Sequence, residues 1–436
     1  MVEAALKKLH QDRVKYVELW FVDILGQLKT FTIPVEEIEK AFTEGIGFDG
    51  SSVEGFARIF ESDLIAKPDP ETYQILPLVE EKTARFFCDI HLPEGPPYEG
   101  DSRYILKRYL KKIAEEGYTF NIGPEVEYFY FRSSENPETI DNGGYFDFIP
   151  QDLGSQLRRQ TMQLCETMGV KVEAGHHEVS PSQHEIDLRY DEALRMADKM
   201  MTLKVLIKQV AARAGVYATF MPKPIFGLNG SGLHIHQSLF RGQTNAFYDS
   251  HDPTYLSPTA KAYVAGLLKH IREITSICNQ WVNSYKRLVP GYEAPVYVSW
   301  GRKNRSALIR IPIYKPGKEK ASRIELRSPD PACNHYLALT VILAAGFEGI
   351  KQNLTIPPAI EEDIYRMEEK ERKRKKIQLL PGSLIEAIME TEKSQLVRNA
   401  LGEHVFSKFI ENKKIEWDMY RTQVTSWEMK EYLPVL

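Results

Sequence analysis

Cysteine is scarce in this sequence, and its thiols show no metal-binding or disulfide spacing. Cys88, Cys165, Cys278 and Cys333 are scattered along 436 residues without a CxxC pair. This pattern excludes a disulfide framework and a structural zinc site, and it is typical of a protein in a reducing compartment. We therefore expect buried structural thiols and a cytoplasmic location.

Long hydrophobic runs and an excess of one charge are also absent. The longest apolar run, Leu337 to Phe347, is far shorter than the roughly 18 to 20 residues of a membrane span, and the N-terminus lacks a signal-peptide core. Lys and Arg number 56 against 60 Asp and Glu, which gives a net charge of −4. Neither a membrane nor a nucleic acid is therefore expected as a partner.

Common nucleotide-binding and nucleophile motifs are missing as well. The sequence contains no GxxxxGKS or GxxxxGKT loop, no GxSxG elbow and no kinase signature set. Its glycine-rich segment FGLNGSG, residues 226–232, matches no dinucleotide fingerprint. Phosphate binding by a P-loop is therefore not expected. The composition, with 43% hydrophobic and 27% charged residues, is that of an ordinary globular protein.

A proline- and glycine-rich segment, HLPEGPPYEGD at residues 91–101, divides the chain into two regions. Before it, short β-rich runs alternate with one helical stretch at residues 35–42. After it, an amphipathic helix at residues 102–116 opens a region in which strands interleave with long helices. We predict an N-terminal domain over residues 1–100 and a larger α+β catalytic domain over residues 101–436.

Glutamates recur where the core of a strand is expected. In IGPEVEYFYF, Glu125 and Glu127 are two residues apart, so a strand places both carboxylates on one face. Similar short apolar strands carry further candidate ligands, namely Glu178, Glu185, His234, His236 and Glu325. If the carboxylates converge, their repulsion requires cations, and a mostly oxygen ligand set favours Mg²⁺ or Mn²⁺ over zinc. The alternative is surface glutamates and hydrogen-bonded core histidines, and the spacing alone does not decide.

A second concentration of charge, from Lys286 to Arg327, is basic. Eleven Lys and Arg residues are set against three Glu residues there, a local charge of +8. Arginine suits forked binding of carboxylate and phosphate, and Arg305, Arg310 and Arg323 lie in β-rich sequence that predicts rigid placement. The residues by themselves thus indicate a Mg²⁺-dependent enzyme that acts on a phosphorylated, acidic substrate.

Seven segments resemble blocks of one enzyme family, in the same order. They are FDGSSVEGF (48–56), GPEVEYF (123–129), GHHEVSPSQHEID (175–187), NGSGLHIHQSL (229–239), KRLVPGYEAPV (286–296), NRSALIRIP (304–312) and RIELRSPDPACNHYLAL (323–339). The chain is similar throughout to class I glutamine synthetase, a glutamate–ammonia ligase. The resemblance implies a small N-terminal β-grasp domain, a larger catalytic domain built on an antiparallel sheet with surrounding helices, and a dodecamer of two hexameric rings with active sites between subunits.

The resemblance also implies roles for individual residues. One Mg²⁺ would be held by Glu127, Glu178 and Glu185. The other would be held by Glu125, His234 and Glu325. The implied glutamate-binding residues are Asn229, Gly230, Arg287, Glu293, Arg305 and Arg327. Those that contact ATP or its transferring phosphoryl group are Glu173, His236, Ser238, Arg305 and Arg310.

The implied reaction joins ammonia to L-glutamate with ATP as co-substrate. The γ-carboxylate of glutamate attacks the γ-phosphate of ATP, and ammonia then displaces phosphate from γ-glutamyl phosphate to give L-glutamine. Asp49 matches an aspartate that binds ammonium across a subunit boundary, and Glu293 matches a glutamate on a flap that closes the site. The implied catalytic residues are thus Asp49, Glu293, Arg305 and Arg327.

Departures from the family pattern concern regulation and the substrate pocket. Residues 376–384, KIQLLPGSL, lack the tyrosine of adenylylated relatives, so we expect a non-adenylylated enzyme. Arg58 resembles an arginine through which some such members sense glutamine, and small regulatory proteins are further candidate partners. Phe56 stands where many relatives have tryptophan, and His335 stands where they have proline.

Two other functions remain open on the same fold. One is a ligase that joins glutamate to a polyamine or another amine, although Asp49 together with Glu293 favours ammonia. The other is a non-catalytic scaffold relative, although all six matched metal ligands are present. A two-metal phosphohydrolase is disfavoured by the flap motif and by the full-length resemblance.

Overall fold

The computed structural model describes residues 1–53, 63–148, 152–292, 294–313 and 317–436. Three residues singled out from the sequence, Phe56, Arg58 and Glu293, lie outside these ranges. All four cysteines lie within them and are buried as free thiols, which confirms that expectation.

The N-terminal sheet comprises six strands of the described chain. They are β1 (Tyr16–Val22), β2 (Leu28–Pro34), β3 (Ile46–Asp49), β4 (Asp63–Pro68), β5 (Gln74–Ile75) and β6 (Thr83–His91). Their order is β2-β1-β6-β4-β3, with β5 also paired to β6. The β1–β6 pairing is parallel and the others are antiparallel. Helices α1 (Val2–Gln11) and α2 (Ile38–Thr43) share a hydrophobic cluster with this sheet.

Both faces of this sheet are covered by apolar side chains. Leu19, Phe21 and Phe86 pack in the cluster with the two helices, whereas Trp20 and Phe87 pack into the core of the rest of the chain. Successive side chains of a strand point to opposite faces, so burial of both faces gives β1 and β6 their nearly continuous apolar sequences. The N-terminal sheet is therefore fixed against the region that follows it.

A second sheet of eleven strands carries the candidate site residues. Its strands in the described chain are β7 (Thr119–Phe131), β8 (Val172–His177), β9 (Gln183–Leu188), β10 (Asp191–Glu192), β11 (Tyr217–Thr219), β12 (Leu233–Arg241), β13 (Thr244–Asn245), β14 (Tyr297–Gly301), β15 (Ala307–Arg310), β16 (Ile324–Leu326) and β17 (Gln378–Leu379). The main order is β17-β14-β15-β16-β12-β7-β9-β8. Apart from the parallel β14–β15 pair, the pairings are antiparallel, so the predicted α+β class with an antiparallel sheet is confirmed.

Helices surround the second sheet. They are α3 (Ser102–Glu115), α4 (Leu153–Thr167), α5 (Ala193–Arg213), α6 (Pro258–Cys278), α7 (Ser284–Arg287), α8 (His335–Lys351), α9 (Glu369–Arg374), α10 (Leu384–Glu392), α11 (Gln395–Leu401), α12 (Glu403–Arg421) and α13 (Ser426–Tyr432). The longest apolar run of the sequence lies in α8, which is buried. Helix α8 packs so closely on α6 that a Cβ atom at Gly266 would lie 2.3 Å from the Ala345 carbonyl oxygen, so this contact requires glycine. Within the described ranges, no helix is long and apolar enough to cross a membrane.

A buried ion network joins the N-terminal sheet to the second region. Arg103, at the start of α3, is only 3% exposed. Its guanidinium donates to Asp69 at 2.8 Å, Asp89 at 2.6 Å and Asp198 at 3.0 Å. Because a buried arginine needs paired carboxylates, residues from both regions are required to hold this charge.

His335 begins α8 in an unfavourable environment. Its side chain is fully buried, and neither ring nitrogen has a hydrogen-bond partner in the described chain. Burial lowers the pKa of His335 well below its usual value, and nearby Lys204 lowers it further. At low pH the unfolded chain therefore binds a proton at this residue that the folded chain excludes, which destabilises the fold.

We expect His335→Pro to stabilise the protein. The change removes two unpaired buried nitrogens, and proline suits the first position of a helix, where the N–H lacks an intrahelical acceptor. The free energy of unfolding should rise by about 1 kcal/mol near neutral pH. Below about pH 6.5 the unfolded wild-type chain binds a proton at His335 that the folded chain excludes. The variant lacks this destabilising effect, so its gain in the free energy of unfolding should grow as the pH falls. Urea unfolding at pH 7.5 and 5.5 measures both effects; equal or lower stability of the variant at both pH values would contradict the prediction.

Candidate active site

Four neighbouring strands bring the candidate metal ligands together. In the register of the sheet, Glu125 of β7 lies opposite His234 of β12, and Glu127 lies opposite Glu185 of β9. Glu325 of β16 lies on the other side of β12. Because these residues recur at even spacing on adjacent strands, their side chains share one face of the sheet, as the sequence predicts for Glu125 and Glu127.

One acidic cluster comprises Glu125, His234 and Glu325, whose ligand atoms all lie within 4.8 Å of one another. His234 Nδ1 is 2.8 Å from Glu125 Oε2 and 3.7 Å from Glu325 Oε1. His236 Nε2 donates to Glu125 Oε1 at 2.7 Å, because Arg323 donates to the other ring nitrogen of His236. This set offers carboxylate and imidazole ligands together.

The second cluster is centred on Glu185, and it includes a residue that the sequence analysis did not assign. Glu185 groups with His176 and Glu178, and separately with Glu127 and His234. His176 Nε2 is 3.0 Å from Glu185 Oε1, and its Nδ1 is 3.5 Å from Glu178 Oε1. Glu178, predicted on a short strand, instead lies in the turn that follows β8.

The pKa values of these carboxylates show that the clusters fit cations. Burial raises the pKa of Glu185 well above its usual value, and the nearby charges of Glu127 and Asp187 raise it further. In contrast, hydrogen bonds from His234 and His236 outweigh burial and hold the pKa of Glu125 below its usual range. Around Glu185, buried glutamates that repel one another are the ligand set that hard divalent ions favour, so these residues fit Mg²⁺ or Mn²⁺.

Arginines lie beside Glu325. The side chain of Glu325 is 1% exposed, and its carboxylate pairs with the Arg310 guanidinium and with Arg327 Nε at 3.2 Å. The charges of His236, His234 and Arg327 outweigh burial and lower the pKa of Glu325. Arg287 is also buried and donates to the Ser328 carbonyl oxygen at 2.8 Å. Arg305, predicted within β-rich sequence, lies in an exposed turn immediately before β15.

The loop that carries Asn229 and Gly230 lies against Glu127. Both loop residues line a small cavity together with Glu127, Arg287 and Arg327. Gln183, which the sequence analysis did not assign, donates to Glu127 Oε2 at 2.9 Å and to the Gly230 carbonyl oxygen at 3.1 Å. The same amide thus orients a candidate metal ligand and the candidate glutamate loop. Both contacts join segments that are distant in the sequence, so no local pattern predicts them.

The remaining predicted residues are more dispersed. Asp49 is exposed at the end of β3, where hydrogen bonds from the Ser51 hydroxyl and backbone N–H lower its pKa. No described contact joins it to the acidic clusters of the same chain. Glu173 is exposed on β8, and Ser238 is buried on β12 two residues beyond His236.

An N-terminal sheet joined to a larger antiparallel sheet, with acidic clusters beside arginines, defines an enzyme of metal-assisted phosphoryl chemistry. Residues 13–93 match the model for the glutamine synthetase beta-Grasp domain, and residues 99–432 match that for the glutamine synthetase catalytic domain. The chain belongs to the glutamine synthetase family. The assignment as a ligase with glutamine synthetase activity is thereby confirmed, and the family implies use of ATP and divalent metal ions.

The glutamine synthetase of Mycolicibacterium smegmatis is 49% identical, and the match covers 99% of this chain and 98% of the relative. The glutamine synthetase of Thermotoga maritima is 48% identical, and the match covers 99% of each chain. The glutamine synthetase of Methanosarcina mazei is 48% identical over 100% of this chain and 98% of its own. Among solved structures, a GmaS/ADP complex superposes with a TM-score of 0.89 at 30% identity and covers 99% of each chain. GmaS without ligand gives a TM-score of 0.86 at 29% identity and covers 98% of this chain and 99% of that one.

Proposed function

We propose that this protein forms L-glutamine from L-glutamate and ammonium, with ATP as co-substrate, through γ-glutamyl phosphate. The observation that carries the proposal is the juxtaposition of two acidic clusters, which share the strand face of Glu125 and Glu127, with the arginines beside Glu325. Phosphoryl transfer to a carboxylate needs positive charge at both groups, and this arrangement supplies it.

Each active site would hold two or more Mg²⁺ ions, with Mn²⁺ as the alternative. Glu127, Glu178 and Glu185 would hold one ion, with His176 beside it. Glu125, His234 and Glu325 would hold the other. Bound metal supplies Lewis acidity to phosphate oxygens. The protein supplies fixed ligands, since the hydrogen bonds of Gln183 and of the Gly232 N–H hold the Glu127 carboxylate in place.

Substrate positioning would fall to the loop and the arginines around the clusters. Arg287 and Arg327 would bind the carboxylates of glutamate beside Asn229 and Gly230, which line the same cavity. Arg305 and Arg310 would face the transferring phosphoryl group, and Arg305 lies in a turn from which its side chain extends to solvent. The proposed contacts with ATP also include Glu173, His236 and Ser238.

Asp49 and Glu293 would complete the site for ammonium. Exposure of Asp49 at an edge strand, with a lowered pKa that keeps it ionised, suits binding of ammonium in a neighbouring subunit. We therefore propose a dodecamer of two hexameric rings in which residues 1–100 of one subunit meet residues 101–436 of the next. Glu293 would close the site and shield γ-glutamyl phosphate from water.

Regulation would not involve adenylylation. Residues 376–384 include β17 and lack a tyrosine, so the chain offers no acceptor hydroxyl of that kind there. Feedback by glutamine through Arg58, small regulatory proteins as partners and a cytoplasmic location complete the proposal.

A phosphate-release assay tests the reaction. Purified protein with ATP and Mg²⁺ should release phosphate at a high rate only when both glutamate and ammonium are present, because γ-glutamyl phosphate is held until ammonia attacks it. Replacing ammonium with putrescine or methylamine is the matched control. Release that depends on the amine and ignores ammonium would assign the chain as another glutamate–amine ligase, and no release with any amine would favour a scaffold.

A further inference from the structure

A cavity of about 670 Å³ lies where the two regions of the chain meet, and it shares no lining residue with the acidic clusters. Gln27 in the turn between β1 and β2 and Leu28 at the start of β2 line one side. Lys204 and Lys208 of α5 and Lys286 of α7 line it as well. Junctions of this kind are common positions for small-molecule sites, and the volume is in the usual range for one.

The three lysines that line the cavity have no carboxylate partner. Lys204 Nζ donates to the Pro331 carbonyl oxygen at 2.9 Å, and Lys286 Nζ donates to the Tyr420 hydroxyl at 2.8 Å. Across the described part of the chain, no ion pair involves Lys204, Lys208 or Lys286. Asp330 is near enough to Lys204 to raise its pKa, but within the described ranges none of the three ammonium groups is paired with a carboxylate.

Glu416 is the acidic residue in the cavity wall, and its carboxylate is already engaged. Its Oε1 accepts from the Val282 N–H at 2.9 Å, and its Oε2 accepts from Lys413 Nζ at 2.7 Å. The Lys413 side chain is fully buried, so this pair is held inside the protein. Glu416 neutralises Lys413 and leaves the charge of the other lysines available to a ligand.

Lys204 is half-buried in the cavity wall, whereas Lys208 and Lys286 are exposed and can reorient toward an anion. Burial lowers the pKa of Lys204 to about 8 and also lowers the pKa of Lys208. A dehydrated cation gains more from a counter-charge than a solvated one does. The remaining wall is apolar and aromatic: Phe220 and Trp281 line it, and Lys204 Nζ lies 5.1 Å from the Phe220 ring centre. An organic anion matches both features better than an inorganic ion does.

We propose that this cavity, the lysine pocket, binds a small organic dicarboxylate whose charges meet Lys204, Lys208 and Lys286. Binding would reach the glutamate site through two connections. Lys286 is adjacent to Arg287 in α7, and the Pro222 carbonyl oxygen in the pocket wall accepts from the Ser231 N–H at 2.9 Å, next to Gly230. The pocket is thus an effector site, and this coupling, unlike the binding itself, rests on the proposed function.

Binding is tested on the full chain by calorimetry with succinate, glutarate and adipate, with butyrate as the control for charge. Glutamate at saturation occupies its own site during each titration. At least one dicarboxylate should bind with a stoichiometry of one per chain, and Lys208→Ala and Lys204→Met should each weaken it at least tenfold. Lys7→Ala, a change at an exposed lysine on α1, should leave the affinity unchanged. The dicarboxylate should quench tryptophan fluorescence of the wild-type protein but not of Trp281→Phe, which would locate the ligand beside Trp281.

Absence of saturable dicarboxylate binding would overturn the proposal, as would equal binding of butyrate or unchanged affinity in Lys208→Ala. Coupling is measured separately. The dicarboxylate should change the KM for glutamate in the wild-type enzyme, and Lys208→Ala should abolish this effect without changing the kcat measured in the absence of dicarboxylate. Binding with no change in KM would retain the site and refute its effector role. An inactive protein that still binds the dicarboxylate would refute the proposed function and leave the pocket intact.

Discussion

Glu325→Ala is expected to lower kcat by about a thousandfold, because one carboxylate serves two parts of the site. Its oxygens pair with Arg310 and Arg327 and lie near His234 in the first acidic cluster. Removal would take away a metal ligand and leave two arginines without a counter-charge beside the remaining ligands. Turnover is measured by glutamine formation, and metal affinity by Mn²⁺ titration.

Two further variants separate charge from folding. Glu325→Gln keeps the volume of this buried side chain, so it should reproduce the loss of turnover with a native circular dichroism spectrum. Glu36→Ala, a change at an exposed glutamate of the N-terminal region, should leave kcat and Mn²⁺ affinity unaltered. Wild-type turnover together with wild-type Mn²⁺ affinity in Glu325→Ala would remove Glu325 from the proposed metal site.

Gly230→Ala is expected to reduce kcat/KM for glutamate by about a hundredfold, since a shift of about 1 Å in a binding group can have that effect. A methyl group at this position would lie 2.0 Å from the Pro222 carbonyl oxygen and 3.4 Å from Arg287 Cγ. The backbone of the loop must therefore move, and with it Asn229 and the hydrogen bond from Gln183. Steady-state kinetics with varied glutamate measures the effect.

Gly382→Ala is the matched control for Gly230→Ala. Its methyl group would have Glu386 Oε2 as its nearest neighbour, at 3.6 Å, which is an ordinary contact. Kinetics of this variant should equal those of the wild type. A Gly230→Ala enzyme with an unchanged KM for glutamate would show that the loop does not position that substrate.

The strands of the site could be predicted from the sequence, but their convergence could not. Alternation of polar and apolar residues indicates that Glu125 and Glu127 share a face whatever the partner strands are. Convergence with Glu185 and Glu325 depends on the order β16-β12-β7-β9, which is set by packing between distant segments. Before the structure, only the resemblance to a family predicted that these residues would come together.

The site residues that could not be predicted from the sequence were missed for a common physical reason. His176 and Gln183 act through contacts across strands, and a histidine or glutamine in a strand carries no local sign of its partner. Helix α1 and the short strands β3 and β4 were not predicted either, because their stability comes from packing on the N-terminal sheet. Arg305 lies two residues before β15, a boundary that the apolar pattern of the sequence does not mark.

The ion network around Arg103 has a consequence for folding autonomy. Asp69 and Asp89 come from the proposed N-terminal domain, whereas Arg103 and Asp198 follow the proposed boundary. Separating the chain at residue 100 would leave Asp69 and Asp89 together on one fragment without Arg103, and it would leave buried Arg103 with Asp198 alone as its partner. Because the network and the packing of Trp20 and Phe87 both cross this boundary, we expect the two regions to melt as one cooperative body despite having two sheets.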